Sequence, residues 1–205
     1  MSELHSARIE RALILALSAH HSQRRKATEI PYAYHVVAVA GILARAGFDE
    51  EVQIAGLLHD LLEDTPVTAE EVASQFGPEI VGVVRGCSEV KFDADGRSRP
   101  WLDRKREHVA GLRSATLAVC AVTLADKLHN LFTICEDLEA GLEVWSRFNA
   151  SREQIIAYQR AAVAVCERDD DRVRRLASEC RSLIDRIAPE IPESENPCES
   201  FLGTC

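Results

Sequence analysis

Aromatic residues make up only 5% of this 205-residue sequence, and glycine and proline number just 10 and 7. Scarce aromatics alongside abundant Ala, Leu, Val and Arg disfavour the strands of a sandwich or barrel and favour helices. A collagen-like repeat or a wholly disordered chain is excluded, because 46% hydrophobic and 28% charged residues suit one globular domain with a core. Positive charge is also short. Lys plus Arg total 24 against 33 Asp plus Glu, leaving −9, which argues against a surface built to neutralise nucleic-acid phosphates. Any phosphate that is handled must meet a local cationic site or a metal. No C-x-x-C occurs, and the cysteines are odd in number at seven, mostly within apolar helical stretches, which suits a reducing cytoplasm. No uncharged run approaches the ~20 residues of a membrane span; residues 114–125 are flanked by Arg113 and Asp126. The short apolar run at residues 12–19 follows Glu3, Arg8, Glu10 and Arg11, whose charges cancel, so it reads as a soluble first helix rather than a signal sequence.

Helical periodicity is what the sequence does contain. Ile9, Ala12, Leu13, Ala16 and Leu17 predict an amphipathic helix over 4–21, ending in the polar, cationic stretch 22–26. A second helix is expected from near Pro31 to Gly47, a good left-handed cap. Asp49 caps a third, apolar nearly all round and therefore central, running to about Asp64 before Thr65-Pro66 breaks it. Thr68 and Glu71 have capping-box spacing for a short helix closed by Gly77-Pro78. Residues 92–99 read as a loop. Asp93-x-Asp95-Gly96 there lacks the later ligands of a calcium loop and is taken as a solvated turn. Further helices are predicted from Pro100 to about Leu112, over 115–139, from the Ser151/Gln154 box to about Cys166, and over 169–188. From Pro189 onward, three of the seven prolines and Glu190, Glu193, Glu195 and Glu199 mark an acidic tail expected to be disordered. The expectation is an all-α, single-domain helical bundle of about eight to ten helices over residues 1–188, with residues 189–205 as tail.

The chemistry is concentrated in Leu57-Leu-His-Asp-Leu-Leu-Glu-Asp-Thr65. On one continuous helix His59 and Asp60 would be followed a turn later by Glu63 and Asp64, placing an imidazole and three carboxylates on neighbouring positions of one face. Such a group is costly in a leucine-rich helix, and acids near a helix C-terminus oppose the macrodipole; a divalent cation resolves both conflicts. His35, early in the second helix, and Asp126, ending the apolar run 119–125, are candidates to complete the set. Two imidazoles with two carboxylates suit manganese, iron, zinc or magnesium.

His35, His59-Asp60 and Asp126 together resemble the H…HD…D pattern of the HD-domain metal-dependent phosphohydrolases. The segments 20–35, 59–65 and 124–131 are more similar still to the hydrolase domain of RelA/SpoT-type enzymes and the stand-alone small alarmone hydrolases. The resemblance covers roughly residues 10 to 165. It implies that His35, His59, Asp60 and Asp126 hold one metal, usually manganese, and that Glu63 and Asp64 position or deprotonate the attacking water. It further implies that Arg25, Lys26 and Asn130 contact a nucleotide whose 3′-pyrophosphate is removed, giving GDP or GTP. Val36 stands where the long enzymes usually carry Pro, and Phe132 where they usually carry Arg. No room remains for a synthetase domain. The implied partner is thus a small nucleotide, with no nucleic acid and no membrane. Another HD nucleotidase or phosphatase, or a nucleotide-binding sensor with little turnover, stays open as an alternative.

Overall fold

The structure, a computed structural model, describes residues 5–188 and residue 201. Among the described residues the chain is helical, with isolated β-bridges at Arg24–Pro31 and Phe92–Ser98 in place of any strand. The all-α expectation therefore holds. The chain divides into two compact units, Met1–Ser88 and Glu89–Cys205.

The first unit contains α1 (Ala7–Ala19), α2 (Ala33–Ala46), α3 (Glu50–Leu58), α4 (Leu61–Asp64), α5 (Ala69–Phe76) and α6 (Pro78–Cys87). Local sequence sets the ends of these helices. The Ser6 hydroxyl accepts from the Arg8 and Ile9 amides, Asp49 accepts from the Val52 amide, and Thr68 with Glu71 forms a reciprocal capping box. Gly47 ends α2 at φ +87, where a side chain would be strained. Ala16, Val36, Ile54, Leu58, Leu61 and Val84 are fully buried at the centre, each aliphatic group beyond alanine contributing roughly 1.5–3 kcal/mol by leaving water. α3 lies against α1, α2 and α6, so its apolar circumference is explained. Gly56 permits the approach to α2: a Cβ there would stand 2.5 Å from Leu43 Cδ1.

Two expectations need correction. The predicted single helix to Asp64 is broken at His59–Asp60, with Asp60 at φ −98, ψ 0, and resumes as the one-turn α4. The physical reason is burial. A straight continuation of α3 would carry Glu63 and Asp64 along a fully buried path, whereas after the break both are half-exposed. The second correction is α6, a helix begun at Pro78 where Gly77-Pro78 had read only as a stop; proline suits a first helical turn as well as it ends a helix.

The second unit contains α7 (Trp101–Leu112), α8 (Leu117–Glu139), the 3₁₀ turn η1 (Trp145–Arg147), α9 (Arg152–Cys166) and α10 (Asp171–Ile187). α10 packs on α8 and α9 through Val173, Leu176, Ala177, Cys180, Leu183, Ile184 and Ile187, a stripe at helical spacing. By length and composition α8 could cross a bilayer, but 67% of its apolar window is buried within the protein, as befits a core helix. The Arg168 guanidinium donates to the carbonyls of Val165, Glu167 and Leu112, satisfying groups left over at two helix C-termini. Asp93 makes the expected turn, its carboxylate accepting from the Asp95 and Arg97 amides. Arg104 and Lys105 turn inward onto the buried carboxylate of Glu89. The predicted tail lies outside the described residues except for Phe201, which is buried with its ring 6.3 Å from Trp101 and 6.0 Å from Tyr158.

Candidate metal centre

In the first unit, His35 comes from the first turns of α2, and His59 and Asp60 from the break between α3 and α4. Both imidazoles are almost fully buried, at 1% and 3% exposure. Their rings meet edge to face with centroids 5.3 Å apart, and each offers a ring nitrogen within 4.8 Å of the other's. Asp60 joins them: its Oδ2 lies 2.9 Å from His59 Nε2 and 3.7 Å from His35 Nε2, and accepts from the Tyr32 hydroxyl. Hydrogen bonding then fixes the chemistry. His59 Nδ1 lies 2.8 Å from the Gly56 carbonyl, an acceptor only, so Nδ1 carries the proton. In the neutral ring, Nε2 therefore turns a lone pair toward the Asp60 carboxylate. Two electron-rich atoms facing each other at 2.9 Å are a site for a cation, and a buried imidazole with its other nitrogen held by a backbone carbonyl is a common form of metal ligand.

Around this group the structure places the other expected residues of the first unit. Glu63 and Asp64 follow on α4, one turn beyond Asp60. Arg25 is half-buried, its guanidinium 5.9 Å above the Tyr32 ring, while Lys26 is exposed beside it. Ala27, next in the same loop, sits at φ +56, a left-handed conformation in which a non-glycine residue stores strain.

Asp126 and Asn130 lie in the second unit, one turn apart on α8. The Asp126 carboxylate accepts at Oδ2 from Lys127 Nζ at 2.9 Å and at Oδ1 from the Asn130 amide at 2.5 Å. In this structure Asn130 thus orients Asp126. Lys127 is buried; burial pulls its pKa down, but Asp126, Tyr158 and Glu89 outweigh that and hold it raised. Lys127 Nζ also stands 5.0 Å over the Tyr158 ring, whose hydroxyl lies 2.9 Å from His108 Nδ1. Sequence reasoning missed the orienting role of Tyr32. The signal was adjacency: it is a polar residue three positions before an expected ligand.

Two buried histidines and an aspartate gathered at a helix break, in an all-α chain, define a helical protein with a candidate divalent-metal site. The chain belongs to the HD domain family, whose sequence profile matches residues 12–156. It is 35% identical over 122 residues to the guanosine-3′,5′-bis(diphosphate) 3′-pyrophosphohydrolase of Haemophilus influenzae, covering 59% of this chain and 18% of that one. The chain spans between 15% and 28% of the length of such curated relatives. Two solved structures match over nearly their whole length. One is a metazoan SpoT ortholog described as hydrolysing ppGpp, with a TM-score of 0.71 and 29% identity over 88% of this chain and 97% of that one. The other is a Listeria monocytogenes protein, with a TM-score of 0.67 and 32% identity over 81% of this chain and all of its own.

Proposed function

We propose that this chain is a divalent-metal-dependent 3′-pyrophosphohydrolase of guanosine tetra- and pentaphosphate. The observation that carries the reading is the His35–His59–Asp60 group, in which the Gly56 carbonyl commits His59 Nε2 to face a carboxylate. The similarity to a ppGpp-hydrolysing metazoan protein over 97% of that protein's length supports the choice of substrate. Because the family profile's matched residues run through both units, we take residues 1–188 as one functional domain, with 189–205 outside it.

In this reading His35, His59, Asp60 and Asp126 hold the cation, with manganese the first metal to test for a mixed nitrogen and oxygen set. When bound, such a cation supplies Lewis acidity toward phosphoryl oxygens and lowers the pKa of water. Glu63 and Asp64 orient the attacking water and take its proton. The new bond forms between water oxygen and the phosphorus attached to the 3′ oxygen, and the bond from that phosphorus to the 3′ oxygen breaks. The 3′ oxygen takes up a proton, and GDP or GTP and pyrophosphate are the products. Arg25 stacks on the base and Lys26 meets phosphate charge, a division of labour that suits a planar guanidinium and a compact ammonium. Asn130 meets the ribose while its helix neighbour Asp126 stays pinned by Lys127. We place the reaction in a reducing cytoplasm, because seven cysteines with no C-x-x-C do not form a disulfide framework by their spacing.

Purified protein with manganese and ppGpp should release pyrophosphate, and chelation, His59→Ala or Asp60→Ala should abolish that release. A panel of guanosine and adenosine polyphosphates and simple nucleotides, scored for pyrophosphate against orthophosphate, tests the substrate. Orthophosphate from other metabolites would make it a different HD phosphatase, and tight binding without products would make it a sensor.

A further inference from the structure

α4 is a single turn carrying the two acids on which the proposed hydrolysis depends, and a helix of four residues has no cooperative stability of its own. Asp60 gives it no side-chain cap. Within α4 the backbone contributes the bonds from the Asp64 amide to the Asp60 carbonyl and from the Thr65 amide to the Leu61 carbonyl. The Asp64 carbonyl, at the C-terminal end, has no intrahelical donor left to it. It is met from 41 residues away in sequence: Gln23 Nε2 donates to it at 2.5 Å.

The Gln23 amide is itself aimed. With its nitrogen on the Asp64 carbonyl, its Oε1 must accept, and it lies 2.7 Å from His20 Nδ1. His20 is 1% exposed, its ring tilted against Tyr32 with centroids 5.0 Å apart, and its Nε2 makes no hydrogen bond among the described residues, so the bond to Gln23 is the polar contact that sets its ring. We propose that Gln23, oriented by His20, is a positioning residue that locks the Glu63–Asp64 turn in place for proton transfer from water. Neither residue touches the reacting atoms.

The same geometry says which kinetic constant responds. The loop bearing Arg25 and Lys26 is closed by backbone bonds that do not involve the Gln23 side chain, from the Arg25 amide to the Ile30 carbonyl and from the Tyr32 amide to the Gln23 carbonyl. Losing the amide therefore loosens the turn that carries the acids and leaves the nucleotide-binding loop as it was. The effect falls on kcat and not on KM.

This inference rests on the hydrolase reading for its kinetic half, and hydrogen exchange on the metal-free protein tests it separately. In Gln23→Met, which keeps length and loses the amide, and in His20→Leu, exchange at the Asp64 and Thr65 amides should quicken about ten-fold, the effect of one lost hydrogen bond. His20→Asn places a donor where Nδ1 was and should restore protection. With manganese and ppGpp, the first two variants should lose about ten-fold in kcat with KM within about two-fold, and His20→Asn should recover it. If Gln23→Met does not fold, Gln23→Glu keeps the shape and puts an acceptor against the carbonyl, with the same expectation. Unchanged exchange at α4 overturns the tether even if the wild type hydrolyses ppGpp. Faster exchange with unaltered kcat overturns the positioning role, and a wild type without turnover overturns the hydrolase reading on which that role depends.

Discussion

Acidification from pH 7 to pH 5 should weaken the second unit through one side chain, His108. Its imidazole is largely buried, with Nδ1 against the Tyr158 hydroxyl and Nε2 making no hydrogen bond among the described residues. Burial, then the charge of Lys127, push its pKa down to about 4 from 6.5, with Lys105 adding to the fall and Glu89 and Asp126 pulling the other way. The sign follows from linkage. The unfolded chain binds the proton near pH 6.5 and the folded chain only near 4, so stability is complete above about 6.5 and is lost as pH falls toward 4. At 1.36 kcal/mol per unit, the loss between pH 7 and pH 5 is about 2 kcal/mol, reaching about 3 kcal/mol below pH 4. Urea unfolding followed by tryptophan fluorescence reads it directly, because Trp101 and Trp145, the chain's two tryptophans, both belong to this unit. His108→Gln keeps a polar partner for Tyr158 without a titrating group and should remove most of the difference between the two pH values. Glu89 does not confuse the result. Burial works to raise its pKa, but Lys105 and its neighbours win and hold it low, so its contribution is lost only below the ordinary carboxylate range. An unchanged pH dependence in His108→Gln would refute the reasoning.

Three other perturbations probe separate features. Gly56→Ala sets a Cβ against the buried Leu43 methyl; overpacking of about 1–3 kcal/mol less about 1 kcal/mol of helix propensity should lower the first unit's thermal midpoint and weaken divalent-metal binding through His59, whereas an unshifted melt and titration would mean that Leu43 simply swings aside. Glu89→Ala leaves Lys105 and Arg104 facing a buried void and should cost about 3–5 kcal/mol in urea unfolding of the second unit; a loss below 1 kcal/mol would show the pair to be solvated. Ala27→Gly relieves a left-handed alanine at about 1 kcal/mol, partly offset by the looser unfolded chain, so the midpoint should rise modestly, and a fall would contradict the strain.

Local signals carried the helices well. The Thr68–Glu71 and Ser151–Gln154 boxes, the Asp49 cap and the Gly47 stop all form as their spacing predicts, because each satisfies backbone groups within four residues. His35, His59 and Asp60 were legible because ionisable residues in apolar helices are conspicuous. What could not be read is whatever depends on distant partners. The break at His59–Asp60 follows from burial of α3 on three sides, and the inward turn of Lys105 follows from a glutamate 16 residues earlier that nothing local marks as its partner. Gln23 looked like part of a polar loop, since its partner stands 41 positions away.

The cysteines have a use that their chemistry alone would not suggest. Among the described residues none forms a disulfide; Cys120, Cys135, Cys166 and Cys180 are buried in the second unit, and Cys87 is half-exposed in the first. Burial pushes the Cys180 thiol up to about 12, and thiolate is the form that reacts with alkylating reagents. Alkylation mapped peptide by peptide therefore times the opening of the second unit from inside it, and the half-exposed Cys87 gives a reference outside that unit. The protein carries its own clock for how often that half of the molecule breathes, with no label added.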